Sequence, residues 1–312
     1  MKTILLLGGY GFIGTNIMKY IDTYLYSKFR VIVFDRFLQH PYGIHFNCIQ
    51  GSYAGDFSDG ILMEQIFSEN KIDMVIHSLS TTIPMNSMNA RYDVESNLLP
   101  TLDLLSIMCK HNVMDMVYIS SGGAIYGDVT NAIHKEDEDV FPISSYGIIK
   151  LSIEKYLMQY AKLYGLKPLI LRLSNPYGKY HYSMKQGICN VAVSYAMQKR
   201  LFTVYGDGHA QKDYIYIGDF VNIMFKLILK NISKDIINIG SQQIHSVNDI
   251  LHLVRLYVPD FVWEYKNSSQ YDVNYLQLNT EKLHKYIGDY EFMSLDEGIK
   301  IIVDWKKENK QE

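Results

Sequence analysis

Ile4-Leu5-Leu6-Leu7-Gly8-Gly9-Tyr10-Gly11-Phe12-Ile13-Gly14 is the stretch on which the fold turns. Four apolar residues read as a buried strand, glycines follow at intervals of three, and a helical pattern opens at Gly14. Gly8 lets the chain turn sharply, Gly11 lets backbone approach a pyrophosphate, and Gly14 lets the helix pack on the strand. The helix N-terminus then offers N–H donors and partial positive charge to an anion. Asp35 closes the second apolar run, about 20 residues further on, where a carboxylate accepts hydrogen bonds from a ribose and repels a 2′-phosphate. That pairing favours NAD over NADP, although the neighbouring Arg36 is a residue type that binds such a phosphate.

Outward from the turn, short apolar runs recur at Val31–Phe34, Met74–His77, Met116–Ile119, Leu169–Leu173 and Ile236–Ile239, with Phe46–Ile49 a weaker candidate. Helical periods lie between them, at Gly14–Tyr26, Ile61–Glu69, Met88–Lys110 and Tyr146–Tyr164, with Pro100 set to kink or restart the third. Strand alternating with helix implies an α/β fold, a doubly wound parallel sheet of Rossmann type. After Ser174 the texture changes to glycine turns and short mixed segments, with helices at Ile188–Lys199, Val247–Tyr257 and Leu295–Lys307, the last opened by a Ser294-x-x-Glu297 capping box. The expected division is residues 1–173 with about 214–240 as the nucleotide-binding domain. Residues 174–213 with 241–312 then form a smaller α+β lobe for the substrate. The segment Tyr214–Lys230 with Ile236–Ile239 reads as a strand-helix unit returning to the main sheet.

The chain has 312 residues, 48% of them hydrophobic and 20% charged, enough to bury a sizeable core. Its 30 basic and 33 acidic side chains leave a net charge of -3, which gives no general reason to bind nucleic acid or a membrane surface. The apolar run at the start stops at Gly8, short of the roughly 7–15 residues of a secretory h-region, and no apolar stretch approaches the ~20 residues that span a bilayer. Cys48, Cys109 and Cys189 lie far apart with no CxxC, as reduced thiols in a reducing compartment do. A cytoplasmic location is the expectation.

The GxxGxxG spacing resembles the extended short-chain dehydrogenase/reductase superfamily, in its NAD-dependent epimerase/dehydratase branch. Further matches run nearly end to end. They are Gly55-Asp56-Phe57 with Asp59, His77, Asn97, Ser120-Ser121-Gly122-Gly123-Ala124-Ile125-Tyr126-Gly127 and Tyr146-Gly147-Ile148-Ile149-Lys150. Arg172-Leu173-Ser174-Asn175-Pro176-Tyr177-Gly178 and Gly206-Asp207-Gly208 through Lys212-Asp213-Tyr214 complete the set. The resemblance implies NAD held along Gly8, Tyr10, Gly11, Phe12, Ile13, Gly14, Asp35 and Arg36, with Asp56 and Phe57 near the adenine. It adds Ser78, Leu79, Asn97, Ile119, Ser120, Tyr146, Lys150 and Pro176 to that cofactor surface. It also implies a homodimer built from the Met88–Lys110 and Tyr146–Tyr164 helices.

Tyr146 and Lys150 stand four apart on one helix face. A phenol with pKa near 10 is a poor base at neutral pH, and a nearby ammonium and a cationic nicotinamide both favour the phenolate. Tyr146 is then the base toward a substrate hydroxyl and Lys150 its activator. The resemblance places a third hydroxyl at Gly122, which has none, so the adjacent Ser121 takes that role, or else a water or substrate hydroxyl does. Dehydratases of the family carry an Asp-Glu pair just after that position, and related decarboxylases a Glu. Gly123 and Ala124 stand there instead.

What remains is reversible oxidation at one carbon. The leading expectation is 4-epimerisation of a UDP-hexose; the alternatives are a reductase or dehydrogenase that releases its cofactor, or an idle dinucleotide-binding protein. Substrate contacts are expected from Ser121, Gly122, Tyr146, Asn175, Lys212 and Tyr177, with Tyr126 also lining the pocket. Two arginines usual at the diphosphate are Lys212 and Ser269 here, which shifts the charge to lysine or to Lys179 or Lys185. His77 reads as structural, and the histidines show no metal-ligand spacing.

Overall fold

The computed structural model describes residues 1–83, 89–128, 132–267 and 274–309. The first half runs β1 (Lys2–Leu7), α1 (Phe12–Tyr20), β2 (Phe29–Asp35), β3 (Ile49–Ala54), α2 (Gly60–Glu69) and β4 (Met74–His77). Next come α3 (Ala90–Asp93), α4 (Leu99–Lys110), β5 (Asp115–Ser121), α5 (Gly122–Ile125), β6 (Ile133–His134), α6 (Ser145–Leu163) and β7 (Lys167–Leu173). The second half holds β8 (Asn175–Tyr177), α7 (Ile188–Met197), β9 (Phe202–Tyr205), β10 (Gln211–Tyr216), α8 (Ile217–Leu229) and β11 (Asp235–Ile239). It closes with β12 (Ile244–Ser246), α9 (Val247–Tyr257), β13 (Trp263–Lys266), β14 (Tyr275–Leu278), α10 (Glu281–Ile287) and α11 (Leu295–Glu308).

Seven strands form the main sheet in the order β11-β7-β5-β4-β1-β2-β3. β1 pairs in parallel with β2 on one side and β4 on the other, so the strand order reverses beside β1, as in doubly wound folds. Ile4, Leu5, Leu6 and Leu7 are all fully buried, because helices cover both faces of such a sheet. The chain divides into two compact units, the first made of Met1–Ile125, Pro142–Arg172 and Leu227–Ile237, the second of Tyr126–Phe141, Leu173–Lys226 and Asn238–Glu312. The second unit has its own core, in which Ile250, Leu251 and Val254 of α9 meet Ile299 and Ile302 of α11. Both α9 and α11 open with capping boxes, Ser246 with Asp249 and Ser294 with Glu297.

Three local expectations shift. The strand expected at Phe46–Ile49 begins only at Ile49, because the Asp22 carboxylate accepts from the Asn47 and Cys48 N–H groups at 2.8 and 2.7 Å and turns the chain there. The helix expected over Met88–Lys110 is described from Ala90, since Met88 lies outside the described residues. A π-helical turn at Val94–Leu98 precedes α4, and Pro100, which lacks an N–H, sits in the first turn that follows. Of the unit expected to return to the main sheet, β11 does so, whereas β10 belongs to a five-stranded sheet, β12-β10-β14-β6 with β8 also paired to β10. Among the described residues no helix is long and apolar enough to cross a membrane.

Candidate active site

The turn after β1 has the shape its glycines imply. Gly8 has φ +75°, and a Cβ on Gly14 would meet the Gly8 and Gly9 carbonyl oxygens at 2.4 and 2.5 Å. Gly11 is the N-cap of α1 and brings no capping side chain, so the first-turn N–H groups are left to a ligand. The Asp35 carboxylate accepts from the Tyr10 N–H at 3.0 Å, and burial pushes its pKa up against the backbone N–H groups that hold it down. Tyr10 is tied at its far end, where its hydroxyl hydrogen-bonds Ser52 at 2.8 Å. Arg36 is exposed beside Asp35. This is a cradle that fits a dinucleotide: small where a phosphate approaches, donor-rich at the helix start, and anionic where a ribose hydroxyl donates.

Residues along the same side of the sheet take varied roles. The Ser78 hydroxyl donates to the Leu7 carbonyl at 2.7 Å, and Leu79 packs where a Gly8 side chain would be. Asp56 accepts from Ser58 as a local turn, while Phe57 is buried against Phe34 and His77. Asn97 is buried and accepts from the Thr81 N–H at 2.9 Å, which ties down the segment after β4. His77 is fully enclosed, and burial lowers its pKa to about 3. The Thr101 hydroxyl donates to the Asn97 carbonyl at 2.6 Å, so it can only accept from His77 Nε2, at 3.2 Å. That fixes a neutral imidazole with Nε2 protonated.

At the end of β5 the catalytic candidates meet. Ser144 caps α6, its hydroxyl accepting from the Gly147 N–H at 3.1 Å, and α6 presents Tyr146 and Lys150 one turn apart. The Lys150 ammonium donates to the Ile119 carbonyl at 2.9 Å and lies over the Tyr118 and Tyr146 rings. Burial lowers its pKa to about 8, with the Glu154 charge pulling the other way. Burial pushes the Tyr146 phenol up to about 12, and the Ser121 hydroxyl opposes that as its hydrogen-bond partner. Ser120 is turned away, donating to the Glu154 carboxylate at 2.6 Å. His77, Asn97, Tyr118, Tyr146 and Lys150 line a small cleft of about 10 Å³, room for roughly one water.

The remaining candidates lie in the second unit. Asn175 and Pro176 of β8 are partly buried, and the Asn175 amide donates to the Asp213 carbonyl at 3.0 Å. Lys212 is partly buried on β10. Tyr177 and Tyr126 are both buried. Tyr177 is 1% exposed, and its hydroxyl donates to the Ser294 carbonyl. Tyr126 is stacked on His134 and donates to Asn238 at 2.7 Å. Ser269 lies outside the described residues. Glu154 escaped the sequence reading, though its position four residues beyond Lys150 was a usable signal. No group of three or more His, Cys, Asp or Glu side chains that could hold a metal occurs among the described residues.

A doubly wound sheet with a glycine cradle after β1 and a Tyr–Lys pair at the end of β5 defines a short-chain dehydrogenase/reductase type of protein. The chain belongs to the NAD dependent epimerase/dehydratase family, whose sequence profile matches residues 4–240. It is 30% identical over 310 residues to a putative UDP-glucose 4-epimerase of Methanocaldococcus jannaschii, a match covering 98% of this chain and 99% of that one. Among solved structures it resembles the UDP-glucose 4-epimerase of Thermotoga maritima with UDP-glucose, at 28% identity and a TM-score of 0.88, over 99% of this chain and 100% of that one. The UDP-glucose 4-epimerase of Thermus thermophilus, solved with NAD, is 26% identical with a TM-score of 0.89, over 98% and 99% of the two chains. NAD is therefore the cofactor, and the chemistry is that of a sugar epimerase or dehydratase.

Proposed function

We propose that this protein is a nucleotide-sugar 4-epimerase acting on a UDP-hexose. The observation that carries the reading is the meeting of Ser121, Tyr146 and Lys150 beside a turn, Gly122–Ile125, that bears no titratable side chain. Dehydration requires a second acid-base group next to the reacting carbons, and this turn supplies none. Epimerisation requires only one proton acceptor that later returns its proton.

When bound, NAD supplies the hydride acceptor and a cationic ring. Tyr146 takes the proton of the sugar 4-hydroxyl, and the Ser121 hydroxyl holds the phenolate oxygen. Lys150 is cationic at neutral pH, and its charge favours the phenolate. The cradle from Gly8 to Gly14 holds the pyrophosphate and Asp35 the adenosine ribose. Asn175 and Lys212 are the proposed contacts to the substrate diphosphate. Exposed Leu99, Ile148, Leu163 and Tyr164, on or beside α4 and α6, support the homodimer, which light scattering tests. Free thiols at Cys48, Cys109 and Cys189 support a cytoplasmic location.

The test is incubation of the purified protein with UDP-glucose, UDP-galactose and their N-acetyl forms. Interconversion of one pair without accumulation of reduced cofactor is the expected result. Net reduction of cofactor with no isomer formed points to a dehydrogenase instead. The Tyr146→Phe variant is expected to lose several orders of magnitude in turnover while still binding NAD, and near-normal turnover in it would sink the assigned base.

A further inference from the structure

Three side chains on one face of α6, each a turn apart, grip three consecutive residues at the end of β5. Tyr146 engages Ser121, Lys150 donates to the Ile119 carbonyl at 2.9 Å, and Glu154 accepts from Ser120 at 2.6 Å. The third rung is the least expected, because it is a carboxylate only 1% exposed. Arg172 of β7, 2% exposed, answers it with Nη2 to Oε2 at 2.8 Å and Nε to both oxygens at 3.2 Å. Every oxygen of Glu154 thus has a donor. The buried pair ties α6 to two neighbouring strands of the sheet. An ion pair this enclosed is weak evidence for stability, since desolvation offsets most of the attraction.

We infer that Glu154 is a positioning residue for the reaction: with Ser120 and Arg172 it sets the register of α6 on β5, and its charge holds the proton on Lys150. The inference rests on the proposed roles of Tyr146 and Lys150. Facing Lys150 are His77 from β4, which stays neutral, Tyr118 from β5, Tyr146 and Glu154 from α6, and Arg172 from β7 beyond Glu154. Glu154, in its ion pair with Arg172, is the one carboxylate in that set. Remove it and two cations remain in a dry site, a condition that expels the proton from Lys150.

The experiment is the pH dependence of turnover for the NAD-loaded protein with UDP-glucose and UDP-galactose, in the wild type, Tyr146→Phe, Glu154→Gln and Ser120→Ala. Glutamine keeps the shape and an acceptor for Ser120 but loses the charge. Its alkaline limb is expected to move to lower pH by about two units, the effect of one charge a helical turn away at an effective dielectric near 20. Ser120→Ala cuts the tether and keeps the charge, so it lowers turnover and leaves the limb in place. An alkaline limb unmoved in Glu154→Gln, with Tyr146→Phe inactive, overturns this inference alone. A wild type inert on both sugars, or an active Tyr146→Phe, overturns the underlying reading and this one with it. If an unpaired Arg172 prevents folding, the Glu154→Gln/Arg172→Gln double variant replaces the single one. Its limb must also move to lower pH, by less, and a limb left in place overturns the proposal.

Discussion

A methyl group on Gly147 would stand 2.2 Å from the carbonyl oxygen of Ala124, closer than any real contact allows. α6 can therefore start against the turn that follows β5 only because residue 147 has no side chain. That closeness brings the Tyr146 phenol to Ser121, although the family's usual hydroxyl position, 122, is a glycine. Gly147→Ala is expected to push α6 away from the turn, lowering turnover ~100-fold, the scale of a ~1 Å misplacement. It should cost about 1–3 kcal/mol of stability from overpacking. Turnover and thermal melts measure both, and a variant of unchanged activity contradicts the close-packing argument.

Ser121→Ala should isolate the hydroxyl. Nothing else in the turn 122–125 bears one, so turnover is expected to fall ~10²–10³-fold, within the usual range for a group assisting proton transfer. NAD affinity, measured by calorimetry, should stay within about threefold, since the phosphate cradle at Gly8–Gly14 follows a different strand. Equal losses in both would assign Ser121 to cofactor binding instead.

Asp35 should decide the choice of cofactor. Its carboxylate accepts from the backbone N–H groups of Tyr10, Arg36 and Phe37, and it is the proposed acceptor for a ribose hydroxyl. Replacing it by alanine is expected to weaken NAD by ~10–100-fold, the worth of one or two hydrogen bonds to a charged group. The same change should narrow the gap to NADP, because repulsion of the 2′-phosphate disappears while Arg36 remains. Titration with both cofactors reads the result, and an unchanged NAD/NADP ratio would refute the assignment.

His77 makes the fold sensitive to acid. Its pKa is lowered from an ordinary 6.5 to about 3 by burial, so the unfolded chain binds a proton there that the folded chain refuses. The sign follows: folding stability falls as pH drops from 6.5 toward 3, with a slope of up to one proton from this group. In His77→Gln, denaturant titrations over that range should show a shallower fall. A slope identical to that of the wild type would mean that His77 titrates normally.

Much of this was legible in the chain itself. Ile4–Leu7 followed by spaced glycines, the acid at Asp35, and the Tyr146–Lys150 pair each obey a local rule whose period or spacing survives any tertiary context. How deeply an aromatic residue near a motif is buried is not written in the motif. Tyr177 and Tyr126 are as apolar in bulk as they are polar at the tip, and a single buried acceptor each, Ser294 O and Asn238 Oδ1, was enough to draw them into the core. β10 was misplaced for a related reason: a strand's apolar pattern says that it is buried, not which sheet buries it.

Periodicity and residues a few positions apart were enough to specify the doubly wound sheet, the glycine turn after β1 and the helical face shared by Tyr146 and Lys150. Tertiary structure alone decided which hydroxyl meets the Tyr146 phenol and which charge stands behind Lys150. Ser121, Ile119, Glu154 and Arg172 come from β5, α6 and β7, and only close packing of a helix on two strands sets them within hydrogen-bond reach. A contact made across that much chain leaves no period to read, and its strength comes from a dry interior that does not exist until the core has closed.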